Sequence, residues 1–171
     1  KFIKNYSAPN LWNSHLKDMK ADALMYLNDD ILLYEDTIDK IIEVFETKYL
    51  DFDCLIGLNQ VNIDSPNKVK AAFGVIGKKY VDRFPNRQWY CPDYYRFYGD
   101  KEAEEYAISI NKFYYDSNIQ IIHRHPCTDM TLIDQTHKEV RKYLKQDEET
   151  FYKRQSLNYL WGRDFNRLLK E

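Results

Sequence analysis

The sequence predicts an α/β fold in which a mixed central sheet is flanked by helices, with further helices towards the C-terminal end. Apolar runs at 23–27, 54–58 and 119–123 have the length of strands and are bounded by polar residues, as buried strands are. Apolar residues within 38–45 recur at i, i+3, i+4 and i+7, which is typical of a helix packing on a sheet. A chain of 171 residues, 44% of them hydrophobic, is large enough to bury one sizeable core.

The other elements are assigned from the same periodicities and from residues that favour turns. In chain order we predict a helix at 9–20, the strand 23–27, a helix starting at 36–39, strands at 53–58 and 71–77, a short helix at 79–84, an aromatic loop at 86–98, a helix from Asp100, the strand 119–123, and two or three helices within 134–170. Residues 1–133 are interpreted as the core, and 134–171 as a C-terminal helical extension packed on the same domain.

A polar triplet, Asn28-Asp29-Asp30, directly follows the apolar strand 23–27. In open α/β sheets ligands bind at the carboxyl ends of the strands. Adjacent carboxylates repel each other unless a cation or a shared proton lies between them, and oxygen ligands of this kind suit Mg²⁺ or Mn²⁺ beside a phosphate. The alternative interpretation is an Asn-Asp turn in which an aspartate caps a helix.

Two histidines mark the end of the strand-like run 119–123. His123 and His125 are two residues apart, so on a strand both imidazoles would point to the same face. Histidine is a common ligand of first-row metals, although a single histidine is more often structural. The pair modestly favours a ligand role.

A carboxylate pair, Asp100 and Glu102, opens the helix that follows the aromatic loop. Gly99 allows a sharp turn of the backbone before that helix. Asp100 is then either an N-cap or a general base in a pocket walled by aromatic rings.

The order of these segments resembles the catalytic half of GT-A-fold, nucleotide-sugar-dependent glycosyltransferases, and most closely the large inverting family. The Asp-x-Asp-type (DXD) motif of that family matches Asn28-Asp29-Asp30, and its acidic motif matches Gly99-Asp100-Lys101-Glu102. The resemblance implies that Asp30 binds a divalent ion, Mn²⁺ or Mg²⁺, held with the donor diphosphate. Asn28 and Asp29 would then lie nearer the donor sugar and ribose.

The resemblance also implies roles on the acceptor side. Asp100 would be the catalytic base, with Glu102 as a substrate-binding neighbour. A late histidine of the family, a second metal ligand, matches His123 or His125, and we favour His125 because it lies farther along the strand towards the site. Aromatic clusters are more often core than surface, but polar residues interleave here, so Trp89 and Tyr94 are expected to form a partly exposed wall for an acceptor sugar.

The function implied is that of a hexosyltransferase-like enzyme that moves a sugar from a nucleotide-diphosphate donor to a hydroxyl of a glycan or another acceptor, with inversion. A catalytically inactive module that binds glycan or protein is one alternative. Another is a metal-dependent phosphoester enzyme that uses Asp29, Asp30, His123 and His125. A two-metal phosphoesterase would need a second cluster of ligands, and the sequence offers none that is convincing.

The resemblance has one departure. A complete GT-A fold begins with strands and helices that hold the nucleotide base, whereas 1–5 resembles the third strand of the family. We therefore expect one edge or face of the sheet to be bare or covered by another chain.

Composition narrows the possible partners and the compartment. A net charge of -2 provides no field that attracts nucleic acid, and no apolar stretch approaches the roughly 20 residues that span a bilayer. The three cysteines, Cys54, Cys91 and Cys127, do not have the spacing of zinc ligands. They are expected to be structural thiols of a reducing, cytoplasmic compartment.

Overall fold

The computed structural model describes residues 7–65, 68–125 and 135–163. The helices are α1 (Ala8–Lys17), α2 (Thr37–Thr47), α3 (Lys78–Val81), α4 (Gly99–Ser109), α5 (Gln135–Arg141) and α6 (Leu144–Ser156), and the strands are β1 (Ala23–Tyr26), β2 (Ile31–Leu33), β3 (Leu55–Gln60), β4 (Gly74–Gly77) and β5 (Phe113–His123). The strand predicted at 1–5 lies outside the described residues.

The described strands form one mixed sheet in the order β1-β4-β3-β5-β2. Strand β4 is antiparallel to both β1 and β3, β3 is parallel to β5, and β5 is antiparallel to β2. Strands β1, β3 and β5 therefore run in the same direction, and their carboxyl ends lie at one edge of the sheet. The predicted α/β class, with a mixed sheet, flanking helices and C-terminal helices, is confirmed.

Strand β2 was not predicted from the sequence. It has only three residues, and Leu32 and Leu33 are exposed, so it lacks the buried apolar run that identifies the other strands. Its register pairs Ile31 with His123, the last residue of β5. This pairing places Asp30, which precedes Ile31, next to the end of β5.

Both faces of the sheet are buried against other elements. Along β3, Leu55 faces one hydrophobic cluster and Ile56 faces the other, because successive side chains of a strand point to opposite faces. The first cluster contains residues from α1, α4, α6 and the aromatic loop: Leu16, Trp89, Tyr90, Tyr94, Tyr106 and Phe151. The second is covered by α2.

Helix α2 buries fewer of its apolar residues than their spacing in the sequence predicts. Ile41 and Phe45 are buried against the sheet, whereas Ile38 and Ile42 are 41% and 46% exposed. The predicted i, i+4 partners Ile38 and Ile42 thus lie at the side of the helix rather than on its core-facing stripe. None of the helices in 7–65, 68–125 and 135–163 combines the length and apolar character needed to cross a membrane.

Candidate active site

The segment 27–30 crosses the carboxyl edge of the sheet. Strands β1 and β2 are consecutive in the chain but stand at opposite ends of the sheet order, so the residues between them must pass the ends of the intervening strands. Asn28 and Asp30 are half-buried in this position and Asp29 is exposed. The backbone N–H of Arg124 donates to the carbonyl of Asp30 at 2.9 Å and fixes the end of the segment.

Asp30 meets His123 at this edge. The carboxylate Oδ2 of Asp30 lies 3.2 Å from Nε2 of His123. The other ring nitrogen, Nδ1, lies 3.0 Å from Oε1 of Gln60, a buried side chain at the end of β3. The rings of Phe73 and His123 pack edge to face, with centroids 4.8 Å apart. The imidazole is therefore held from several sides in one orientation.

The backbone of His123 is fixed as well. Its N–H donates to Oδ1 of Asn62 at 3.0 Å, and Nδ2 of Asn62 donates to its carbonyl at 2.8 Å. Neither Asn62 nor Gln60 was identified as a site residue from the sequence. They lie at the end of β3 and just beyond it, so the positional rule that selected Asn28–Asp30 applies to them too.

Burial governs the charge state of His123. It lowers the pKa of the imidazole below its ordinary value of 6.5, and the opposing effect of the Asp30 carboxylate is smaller. The ring is therefore neutral at pH 7 and has one N–H. With that proton on Nδ1, shared with Gln60, the lone pair of Nε2 is directed at Asp30.

The pair fits a cation shared with a substrate. Asp30 Oδ1 is a buried atom with no hydrogen-bond partner among the described residues, and a neutral imidazole faces the second oxygen of the carboxylate. Nowhere in the described ranges do three His, Cys, Asp or Glu side chains come together as a metal cage. A site of one carboxylate and one imidazole suits Mn²⁺ or Mg²⁺, because such ions complete their coordination with water and substrate phosphates.

His125 lies next to this pair. Its ring centroid lies 5.0 Å from that of His123, and the chain has left β5 at that point. The histidine whose ring nitrogen faces Asp30 is His123. His123 is thus in direct contact with Asp30, and His125, the ligand favoured from the sequence, remains a prediction.

Asp100 lies in the first turn of α4 and is half-buried. Its Oδ1 accepts a hydrogen bond from the N–H of Lys101 at 2.9 Å, so it satisfies one helix-end amide from within the first turn. The N-cap position itself belongs to Tyr98. Burial, and to a smaller extent the charge of Glu104, raises the pKa of the Asp100 carboxyl above its ordinary value of 3.8.

Two contacts connect the first turns of α4 to the same sheet edge. Ala71, just before β4, donates its N–H to Oε2 of Glu104 at 2.7 Å, and its carbonyl accepts from the hydroxyl of Tyr26 at 2.9 Å. Tyr26 is the last residue of β1, and the Asp100 charge adds to burial in raising its pKa. Helix α4 therefore reaches the strand end that leads into Asn28–Asp30 through Glu104, from the face of the sheet that carries the first hydrophobic cluster.

The predicted partial exposure of Trp89 and Tyr94 is wrong, and Glu102, also predicted to bind substrate, is buried as well. Trp89 and Tyr94 are each 1% exposed, so neither presents a ring face to an acceptor sugar. Trp89 instead packs on Tyr26, with centroids 4.9 Å apart. Glu102 is 2% exposed and its carboxylate is engaged by Arg154 and by the N–H of Trp161.

Asp147 differs from most charged residues around it on α6, which are exposed. Its side chain is fully buried and accepts hydrogen bonds from three backbone amides of the aromatic loop. Arg154 of the same helix is buried too. Nothing in the charged sequence around either residue distinguishes it from its exposed neighbours.

Comparisons of the chain with protein-family models, with curated proteins and with solved structures found no match. The functional conclusion therefore depends on the geometry of the sheet edge and on the motifs that occupy it.

Proposed function

We propose that this chain is a metal-assisted glycosyltransferase domain that moves a sugar from a nucleotide-diphosphate donor to an acceptor hydroxyl. The observation that carries the proposal is the contact between Asp30 and His123, which arrive from the ends of different strands at the carboxyl edge of the sheet. The resemblance of Asn28-Asp29-Asp30 and Gly99-Asp100-Lys101-Glu102 to the motifs of the inverting GT-A family supports it.

Asp30 and His123 would hold Mn²⁺ or Mg²⁺ together with the donor diphosphate. When bound, such an ion would neutralise the negative charge that accumulates on the departing diphosphate. Asn28 and the exposed Asp29 lie in the same crossing segment, where they can contact the sugar and ribose of the donor.

Asp100 would act as the general base. The proton of the acceptor hydroxyl passes to the Asp100 carboxylate, and the acceptor oxygen forms a bond to the anomeric carbon. The bond between that carbon and the diphosphate oxygen breaks, and the diphosphate keeps the electron pair. A raised pKa makes the carboxylate a better proton acceptor near neutral pH, and a single displacement inverts the anomeric centre.

A cytoplasmic location belongs to the same proposal. Cys54 and Cys91 are buried thiols rather than half-cystines, and burial raises the pKa of Cys54 to about 12. Thiols of this kind are inert structural groups and suit a reducing compartment.

The proposal is tested by calorimetric titration of the chain with UDP, GDP and dTDP, with and without Mn²⁺. We expect at least one nucleotide to bind only with the metal, and Asp30→Asn to abolish that binding, because an amide is a poor ligand for a hard cation beside phosphate. The matched control is Asp36→Asn, an exposed aspartate paired with Lys40 at 2.8 Å, which should bind as the parent does.

Two results would overturn the assignment. One is a parent chain that binds none of the three nucleotides in the presence of metal. The other is an Asp30→Asn variant that keeps the metal-dependent affinity of the parent, while circular dichroism shows both proteins to be folded.

A further inference from the structure

A buried carboxylate on α6 determines the conformation of the loop that precedes Asp100. The oxygens of Asp147 accept hydrogen bonds from the backbone N–H groups of Tyr95, Arg96 and Phe97 at 2.8, 2.7 and 2.7 Å. Burying a carboxylate is costly unless such donors satisfy it, and three converging amides do so. The loop is therefore held in a defined conformation rather than free to choose one.

The loop held in this way presents tyrosine rings beside others from the C-terminal helices. The ring of Tyr95 stacks on that of Tyr143, with centroids 3.4 Å apart and planes inclined by 18°. The ring centroids of Tyr98 and Tyr152 are 6.5 Å apart, and the hydroxyl of Tyr98 donates to Oε1 of Glu148 at 3.0 Å. Tyr152 is exposed and the other three rings are half-buried. The two pairs lie apart along α6, since Tyr152 follows Tyr143 by nine residues, which is about 13 Å in a helix. We call Tyr95, Tyr98, Tyr143 and Tyr152 together the tyrosine surface.

Tyr98 occupies a backbone conformation that disfavours side chains. Its φ is 65°, in the left-handed region that glycine adopts far more readily than a residue with a Cβ. The ring nevertheless packs on Phe151, with centroids 5.1 Å apart, while the hydroxyl meets Glu148. These contacts of the ring and the hydroxyl therefore hold Tyr98 in a conformation that its backbone disfavours.

We propose that the tyrosine surface is the acceptor subsite and that it binds consecutive pyranose rings of a glycan acceptor. This inference rests on the proposed transferase function and replaces Trp89 and Tyr94, which are buried. Aromatic faces contact the C–H faces of a sugar, while the tyrosine hydroxyls and Glu148 hydrogen-bond to its hydroxyl groups. Tyr98 immediately precedes α4, the helix that carries Asp100 in its first turn.

The charges around the surface favour a neutral ligand over a phosphorylated one. Lys101 lies over the ring of Phe151 at 4.6 Å and Lys142 over that of Tyr143 at 4.9 Å, so both are already directed at aromatic faces. Glu148 places a carboxylate at the hydroxyl of Tyr98. A carboxylate accepts hydrogen bonds from sugar hydroxyls and repels phosphate.

The test uses saturation-transfer NMR with methyl β-glucopyranoside, maltose and chitobiose, in the absence of nucleotide and metal. We expect saturation of the ring C–H protons of at least one saccharide, with a dissociation constant on the order of 1 mM. Tyr152→Ala, which removes an exposed ring, should weaken binding about tenfold, as should Tyr95→Ala. The control is Tyr34→Ala, since Tyr34 is exposed and lies outside the surface.

The outcomes separate this inference from the transferase proposal. The inference is overturned if none of the saccharides binds, or if Tyr95→Ala and Tyr152→Ala both bind like the parent. If saccharides fail to bind while metal-dependent nucleotide binding persists, only the tyrosine surface is lost. If saccharides bind and no nucleotide does, the sugar site stands and the transferase proposal falls.

Discussion

Arg154 of α6 and Glu102 of α4 form a buried ion pair with several hydrogen bonds. Nε of Arg154 lies 3.0 Å from Oε2 of Glu102, and Nη2 lies 2.7 Å from Oε1. The same guanidinium reaches Asp93 at 3.0 Å, and Glu102 also accepts from the N–H of Trp161 at 2.7 Å. The pair thus joins α4, the candidate catalytic helix, to α6, to the loop that precedes α4 and to the segment that follows α6.

Removing one member of this pair should destabilise the fold. Glu102→Ala leaves the buried guanidinium without its main partner, and we expect a loss of about 3–5 kcal/mol in the free energy of unfolding. Urea denaturation followed by circular dichroism measures it. Glu149→Ala is the control: Glu149 is exposed on α6 and lies 3.8 Å from Lys145, so its loss should be below about 1 kcal/mol. Equal losses in both variants would contradict the structural role of Glu102.

Substitution of Asp147 should destabilise the fold more than substitution of the exposed charged residues around it. Asp147→Asn replaces one acceptor oxygen by an N–H₂ group that faces backbone donors, and we expect a loss of about 1–3 kcal/mol. Amide hydrogen exchange should accelerate at Tyr95, Arg96 and Phe97, whose N–H groups lose part of their acceptor. Slow exchange at all three amides in a folded Asp147→Asn variant would contradict the assignment.

The sequence allowed the strand ends to be predicted better than the loop. The run 23–27 and the triplet Asn28–Asp30 were recognisable because a buried strand needs a continuous apolar segment and a polar exit. Strand β2 was missed because it has only three residues and two of them are exposed. Its pairing with β5 depends on a tertiary contact that no local pattern records.

The burial of the aromatic loop could not be inferred from its composition. Trp89 and Tyr94 alternate with polar residues, as an exposed wall would, but distant segments cover them. Most charged residues of α6 are exposed. Asp147 and Arg154 are buried because of tertiary contacts, which the local sequence does not reveal. Partial exposure had been predicted for Tyr94. In the structure its sequence neighbours Tyr95 and Tyr98 are partly exposed instead.

His123 should make the stability of the fold depend on pH. Its pKa is lowered in the folded state, so the unfolded chain binds the proton more readily. The stability that the neutral ring contributes is therefore present above about pH 6.5 and is lost as the pH falls through the folded-state pKa. Thermal denaturation between pH 7 and pH 5, at steps of about half a unit, should show a shallower decline for His123→Gln than for the parent.

The control for that series is His15→Gln. His15 is exposed on α1, outside the site, and this variant should follow the parent curve. A His123→Gln curve that also follows the parent would show that the imidazole is not the group responsible.

Asp100→Asn should separate the catalytic role of this residue from its structural one. The Asn carbonyl can still accept the N–H of Lys101, so α4 should form normally. Because burial raises the folded-state pKa of Asp100 above 3.8, its ionisation opposes folding, and the favourable contribution present below pH 3.8 is lost as the pH rises through the folded-state pKa. Asp100→Asn should consequently have a higher melting temperature than the parent at pH 7, with the advantage disappearing at low pH.

Asp100→Asn should lose transfer activity but keep its affinity for the nucleotide donor. Release of nucleoside diphosphate from a sugar nucleotide, with water or glycan as the acceptor, should fall by roughly 10² or more, because the base that accepts the hydroxyl proton is gone. Metal-dependent nucleotide affinity should stay at the parent value. The matched variant is Asp39→Asn, an exposed aspartate in the first turn of α2, which should lose slight stability through the helix dipole and keep full turnover. If Asp100→Asn instead resembles Asp39→Asn in both measurements, Asp100 is a structural first-turn residue, and the catalytic assignment fails.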